Sequence, residues 1–328
     1  MVKVALGGHA EWPYDTTAKA FGDINAAVAA SLDGMTIEIE EGSYPIEAEI
    51  TVSKALTIIG AGKDATTLLN GSGNFRIMTL DHPQAVLGNL TISGGKASSE
   101  GASLNFTATG GGLADGIRVS GVSSGQFGVY VNGANSRLTR SEVTGCSIRA
   151  VGVAGGGRLE NSLIWKNRGA SVCGVSMSEG STGAGYIRNC TVVSNESTGT
   201  STSASGIIAD NSGNASAMRY IVNCIVRDNI VAATPEEMYA GYPDIQIGSK
   251  TSVSNCCVAS AVGENCQTAD PLLRADGRIR ATSPAVNAGL VEDWMSGETD
   301  YFGKPFRSDN AAIGCHQSRR RGMMVIAR

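Results

Sequence analysis

The chain has 328 residues and a net charge of −4, with 43 glycines, 8 prolines, 5% aromatic and 17% charged residues. That length carries a large core, as one elongated domain or two globular ones, and the supply of Val, Ile, Leu and Ala excludes a disordered chain. The acidic balance argues against a nucleic-acid binder, which needs a basic face for phosphates.

The N-terminus, MVKVALGGHAEW, has no apolar h-region, so no signal peptide is read there. No stretch approaches the ~20 apolar residues of a membrane span. Ala18 to Leu32 reads as a helix, because Ala20, Phe21, Ile24, Ala27, Val28 and Leu32 fall at three- and four-residue steps. Asp33-Gly34 stops it. Strands are expected next at Met35–Ile39, Ile50–Val52 and Leu56–Ile59, separated by EEGSY and the GAGKDA turn.

A repeat then sets in. Tyr186–Asn195 (YIRNCTVVSN) is written again at Val86–Gly95, Arg137–Cys146, Arg158–Asn167, Tyr220–Asn229 and Ser252–Ala261. Aligned on the central polar residue, one column reads Asn89, Arg140, Asn161, Asn189, Asn223, Asn255. The next reads Leu90, Ser141, Ser162, Cys190, Cys224, Cys256, and two further on Ile92, Val143, Ile164, Val192, Val226, Val258. Two before the centre stand Leu87, Leu138, Leu159, Ile187, Ile221, Val253, and a second polar column holds Gly95, Cys146, Asn167, Asn195 and Asn229. Apolar residues two apart point to one side of a strand. The Asn column breaks that alternation as a left-handed residue would, turning the chain between two strands. Stacked Asn side chains can hydrogen-bond along the stack.

Another short strand precedes each copy: Gly128–Val131, Gly152–Val153, Gly174–Met177, Gly206–Ala209 and Asp244–Ile247. A constant strand set with variable connectors describes coils with insertions looping out, that is, an all-β parallel β-helix solenoid. A sandwich would show paired Asn-Gly or Asp-Gly hairpin signals, which are scarce. Because a solenoid needs capped ends, the Ala18–Leu32 helix is expected to cover the first rung. The organisation expected is one continuous domain: an N-terminal segment and capping helix at 1–34, the solenoid at 35–262 and a closing segment at 263–328.

With eight cysteines, three histidines and no CxxC pair, no metal site is expected. Cys257 and Cys266 form the most disulfide-like local pattern; the competing expectation is that most cysteines are small buried apolar residues.

Asp33–Gly62 (DGMTIEIEEGSYPIEAEITVSKALTIIGAG) and the NCTVVSN and NCIVRDN repeats resemble right-handed parallel β-helix proteins of the pectate-lyase-like group. Thr268–Gly289 (TADPLLRADGRIRATSPAVNAG), Asp300–Arg307 (DYFGKPFR) and Ala311–Gln317 (AAIGCHQ) resemble the terminal segment of secreted bacterial β-helix proteins described as choice-of-anchor proteins. Asp270, Pro271, Ser283, Pro284, Asn287, Gly289, Asp300, Gly303, Pro305, Arg307, Ile313 and Gly314 match that pattern. The chain departs from it at Ala312 and at His316-Gln317, where the pattern carries acids. The resemblance implies a right-handed solenoid in an extracellular or cell-surface context.

The resemblance also implies what to seek for chemistry. Polysaccharide lyases on this fold use a Lys or Arg base, with Ca²⁺ or another cation neutralising the uronate, and a calcium site wants clustered carboxylates. No Asp-Asp pair occurs, and His9, His82 and His316 all lie outside the repeats. Basic residues are better grouped. Arg137 and Arg158 share a column one rung apart, about 4.8 Å, with Arg140, Lys166 and Arg168 nearby. They form either a basic stripe for an acidic glycan or a solvated face of ordinary charges. Trp165, beside Lys166, reads either as a sugar-stacking platform or as packing under a connector. Arg319, Arg320 and Arg321 read as a solvated turn.

Two functions follow: a secreted or cell-surface binding and structural module engaging polysaccharide along the solenoid face, needing no cofactor, or a polysaccharide lyase acting on an acidic glycan with Ca²⁺.

Overall fold

The computed structural model describes residues 1–12, 14–71, 73–170, 174–177, 183–199, 203–209, 217–231, 244–260 and 262–318. The chain is a right-handed parallel β-helix. Every pairing between its strands is parallel, as in Arg158–Glu160 on Gly185–Arg188 and Leu163–Trp165 on Thr191–Val193. Most strands stack into three faces, and Arg168–Gly169, Glu196–Ser197 and Ile230–Val231 form a further short 3-stranded sheet. The first includes Phe127–Asn132, Arg149–Ala154 and Val175–Met177; the second Ser136–Thr139, Arg158–Glu160, Gly185–Arg188 and Arg219–Val222. Two long strands, Met78–Gly88 and Leu104–Asp115, run through both faces and join them into a 16-stranded sheet. The third face is a 9-stranded sheet holding Glu142–Thr144, Leu163–Trp165, Thr191–Val193 and Ile225–Arg227.

The corner between the second and third faces is the Asn column. Asn89, Arg140, Asn161, Asn189, Asn223 and Asn255 all take positive φ, between 46° and 55°. Asn enters this region with little strain; Arg140 does so with its guanidinium anchored on Asp115. The hydrogen bonds of the next column explain why both Ser and Cys serve there. Ser162 Oγ, Cys190 Sγ, Cys224 Sγ and Cys256 Sγ each donate to the carbonyl two residues back, at 2.6, 3.2, 3.2 and 3.2 Å. Several also accept the amide one rung away: Ser141 N to Ser162 Oγ, and Cys224 N to Cys256 Sγ. A small side chain with both donor and acceptor capacity closes the bend.

The second Asn column is a ladder. Asn167 Nδ2 donates to Asn195 Oδ1, Asn195 to Asn229 and Asn229 to Asp244, each at 2.9 Å. All three Asn side chains are buried, so the ladder satisfies groups that would otherwise be desolvated without partners.

Three expectations are corrected. The N-terminal helix is Ile24–Ala30, not Ala18–Leu32, because Asp23 caps it, accepting from Asn25 N and Ala26 N, and Ser31 ends it. Ala20, Phe21, Ile24, Ala27 and Val28 are buried as expected, whereas Leu32 is exposed. EEGSY is no mere separator, since Gly42–Ile46 is a strand on the third face. The Cys257–Cys266 bridge is absent and both thiols are free. Adjacent strand residues face opposite ways. Cys256 points into the solenoid, where Cys266 Sγ accepts its amide at 3.4 Å, while Cys257 points outward to the carbonyl of Ala269.

The C-terminal segment, 263–318, turns back along the solenoid. It lies over the Asn corner and the third face, reaching from Val253 and Glu264 to Lys63. Asn161 and Asn189 donate to its Thr299 and Ala312 carbonyls, and Asn223 donates to the Leu290 carbonyl while accepting the Leu290 amide. A second apolar cluster forms outside the barrel, where Ile225, Val193 and Cys257 meet Ile279, Ala285, Val286 and Ile313. Arg319, Arg320 and Arg321 lie outside the described residues.

Candidate functional site

The second face presents two outward columns. One runs Arg137, Arg158, Tyr186, Tyr220, Ser252; the other Thr139, Glu160, Arg188, Val222, Ser254. Tyr186 and Tyr220 stack with ring centroids 5.1 Å apart and planes 12° from parallel. The Arg188 guanidinium covers Tyr186 at 4.0 Å from the ring centroid. Tyr220 has Ser252 as its next neighbour in register, and among the described residues no aromatic or cationic side chain besides Tyr186 stacks on its ring. Arg158 is exposed and, among the described residues, makes no ion pair.

The other residues of the expected basic stripe have partners. Arg137 donates from Nε to Glu160 at 2.6 Å and from both terminal nitrogens to Glu298 of the C-terminal segment at 3.1 Å. Arg140 holds Asp115 and donates to Thr299 Oγ1 at 2.7 Å. Arg168 pairs with Glu196 at 2.9 Å. Lys166 lies 3.8 Å from the centroid of the Trp165 ring. Trp165 is half-buried, packs against the outer apolar cluster and donates from Nε1 to Glu142 Oε1 at 2.8 Å. Arg137, Arg140 and Trp165 thus dock the chain's own C-terminal segment, and Arg158 stands alone as an open cation of the column.

Glu142 is the hub of a second polar cluster, on the third face. Besides Trp165, its carboxylate accepts from Arg118 Nε at 2.8 Å and from Tyr301 OH at 3.3 Å. Burial pushes the carboxyl up, but hydrogen bonds from Arg118 and Trp165 more than offset that and hold it below the usual range. Arg118 also pairs with Asp64 at 2.6 Å. Lys63 Nζ donates to Tyr301 OH at 2.8 Å and lies over the same ring. Burial depresses the Lys63 ammonium, while the same desolvation raises the Tyr301 phenol. Neither Lys63 nor Tyr301 belongs to the repeat, and periodicity gives no signal for them.

A lyase-type calcium centre would need several carboxylates facing one point. Among the described residues no group of three or more His, Cys, Asp or Glu side chains is gathered that could hold a metal ion. Glu142, Asp64, Glu160 and Asp115 are each turned onto an arginine. These residues do not fit a calcium site.

No family model matches the chain, and no curated protein matches it. Among solved structures it is similar to one titled "Crystal structure of pectate lyase Pel9A", with a TM-score of 0.50 and 11% identity, covering 97% of this chain and 96% of the other. It is also similar to "Geobacillus virus E2 - ORF18", with a TM-score of 0.37 and 11% identity over 81% of this chain and 59% of that one. At such identity the first likeness concerns the fold alone. Among the described residues no helix is long and apolar enough to cross a membrane.

Proposed function

We propose that this chain is a secreted or cell-surface β-helix module that binds an acidic polysaccharide across its second face. The observation that carries the reading is Arg158, exposed and without an acidic partner among the described residues, in register with the stacked Tyr186 and Tyr220. A guanidinium offers two parallel donors to a carboxylate, and the Tyr220 ring offers a flat apolar surface to a sugar ring. Rungs about 4.8 Å apart let successive residues of one column meet one extended chain. The test is affinity electrophoresis in gels holding pectate, alginate or chondroitin. Wild type is expected to be retarded by at least one of them, and Arg158→Ala and Tyr220→Ala each to weaken that retardation about tenfold, as loss of one charge-assisted or stacking contact does. Equal retardation of all three proteins would remove the site.

One observation favours the lyase reading: Lys63, depressed by burial and next to Arg118, has the character of a general base. Its ammonium is engaged by Tyr301, so a substrate would have to displace that residue. Incubation of the same polymers with the protein, with and without Ca²⁺, checks this reading through the ultraviolet absorbance of unsaturated uronate. A steady rise that Lys63→Met abolishes would replace the binding reading.

A further inference from the structure

A cleft in the C-terminal segment is lined by Arg274, Arg278, Lys304, His316, Ile279 and Ser318. Three of these are cationic. Asp276 pairs with Arg278 at 2.5 Å. Asp300 is buried within Coulombic reach of Lys304, but its two oxygens are taken up by the backbone amides of Phe302, Lys304 and Gln317.

His316 is buried and its ring is fixed from two sides. Nδ1 accepts the Ile279 amide at 3.1 Å, and Phe302 meets the ring edge-on, with centroids 5.1 Å apart. A nitrogen that accepts an N–H cannot carry a proton, so the neutral ring keeps its single proton on Nε2. That Nε2–H faces Lys304 Nζ at 3.2 Å. An ammonium has three donors and no lone pair. Two donors therefore face one another in a basic cleft, with no acceptor between them among the described residues. Arg278 adds a third donor group, its guanidinium held 4.0 Å from the centroid of the Phe302 ring.

From this opposition of donors we infer that Lys304 Nζ and His316 Nε2–H converge on a bound oxyanion, with Arg278 at its side. The ligand class is a carboxylate, sulfate or phosphate group, carried by a uronate or by a sulfated or phosphorylated glycan. One oxyanion accepts from both nitrogens at once and turns a donor clash into two charge-assisted hydrogen bonds. The burial that holds His316 down to about 4 keeps the ring neutral, so Nδ1 stays on the Ile279 amide and Nε2 stays a donor. The site does not rest on the reading of the second face.

The chain has three histidines, His9, His82 and His316, so the imidazole proton resonances report on His316 with two internal controls. Sulfate, phosphate and galacturonate are titrated separately at constant ionic strength. A saturable shift of the His316 resonance alone is expected with at least one of the three. Lys304→Met, at an exposed position, is expected to weaken it at least about tenfold. Lys304→Arg is expected to restore most of it, and Arg158→Ala to leave it unchanged. Response to galacturonate identifies a uronate as the ligand, and response to sulfate or phosphate alone an esterified glycan. No saturable shift with any of the three, or equal affinity in Lys304→Met, would overturn the site.

Discussion

His316 spends Nδ1 on a backbone amide, and that choice has a pH signature. Its folded value, about 4, lies below its ordinary value of 6.5. Between those limits the unfolded chain binds a proton that the folded chain does not. Stability from this residue is therefore complete above about pH 6.5 and lost as pH falls toward 4. The loss amounts to roughly 3 kcal/mol at most. Urea unfolding at neutral pH and near pH 4.5 measures it. Wild type is expected to lose more stability between the two than His316→Gln; parallel losses would show that His316 titrates normally. The neighbouring sequence held a hint. His316-Gln317 stands where the resembled closing pattern carries an acid, but that departure says only that an ion pair is missing. The donor opposition depends on Lys304 and Ile279 arriving from separate turns, which spacing does not encode. By contrast the bend residues were legible one by one, because a left-handed position admits few residue types and the Asn column repeats it at every rung.

At the scale of the element, the C-terminal segment decides the fate of most residues expected to bind sugar. Arg137, Arg140 and Trp165 lie in the columns where the repeat puts them, yet Glu298, Thr299 and the outer apolar cluster occupy them. Strand alternation told which side of the sheet they face. It could not tell that the outer side of the third face is itself covered, since that column sets Thr91, Glu142 and Thr191 beside Leu163, Ile225 and Cys257, and all six are buried. The N-terminal helix was overestimated for a related reason: apolar periodicity continued through Gly22 and Asp23, while the cap at Asp23 begins the helix anew. The clasp at Tyr301 is a specific target. Tyr301→Phe leaves Lys63 without its acceptor and Glu142 without one of its donors, a cost of roughly 1–3 kcal/mol. Denaturant unfolding measures it, and limited proteolysis is expected to cut the variant faster within 263–318. A variant as stable and as resistant as wild type would show that the segment is held elsewhere.

For the whole molecule, the stacking of rungs is stabilised by interior columns and by the Asn and Ser/Cys bends rather than by covalent ties. Among the described residues seven cysteines are free, six of them buried, and burial raises the Cys224 and Cys256 thiols well above the usual range, keeping them protonated and unreactive. Thermal unfolding with and without dithiothreitol is therefore expected to give the same midpoint; a fall on reduction would reveal a disulfide. The solenoid itself was almost entirely legible, because a repeat states the same physical solution several times over. What the repeat left unsaid is everything contributed once: Lys63, Tyr301, Lys304 and His316.

The distance between partners along the chain has a consequence in time. Lys63 and Tyr301 meet across 238 residues, on a surface that does not exist until the intervening rungs have stacked. Closing so long a loop costs little more than closing one of half its length, so what delays the clasp is the order of construction. As the chain leaves the ribosome, the third face is finished first and stays bare, with Leu163 and Ile225 open to water until the last residues arrive. That interval is when a nascent chain is most prone to stick to its neighbours. The C-terminal segment therefore sets how long the half-built molecule must survive with an apolar flank uncovered.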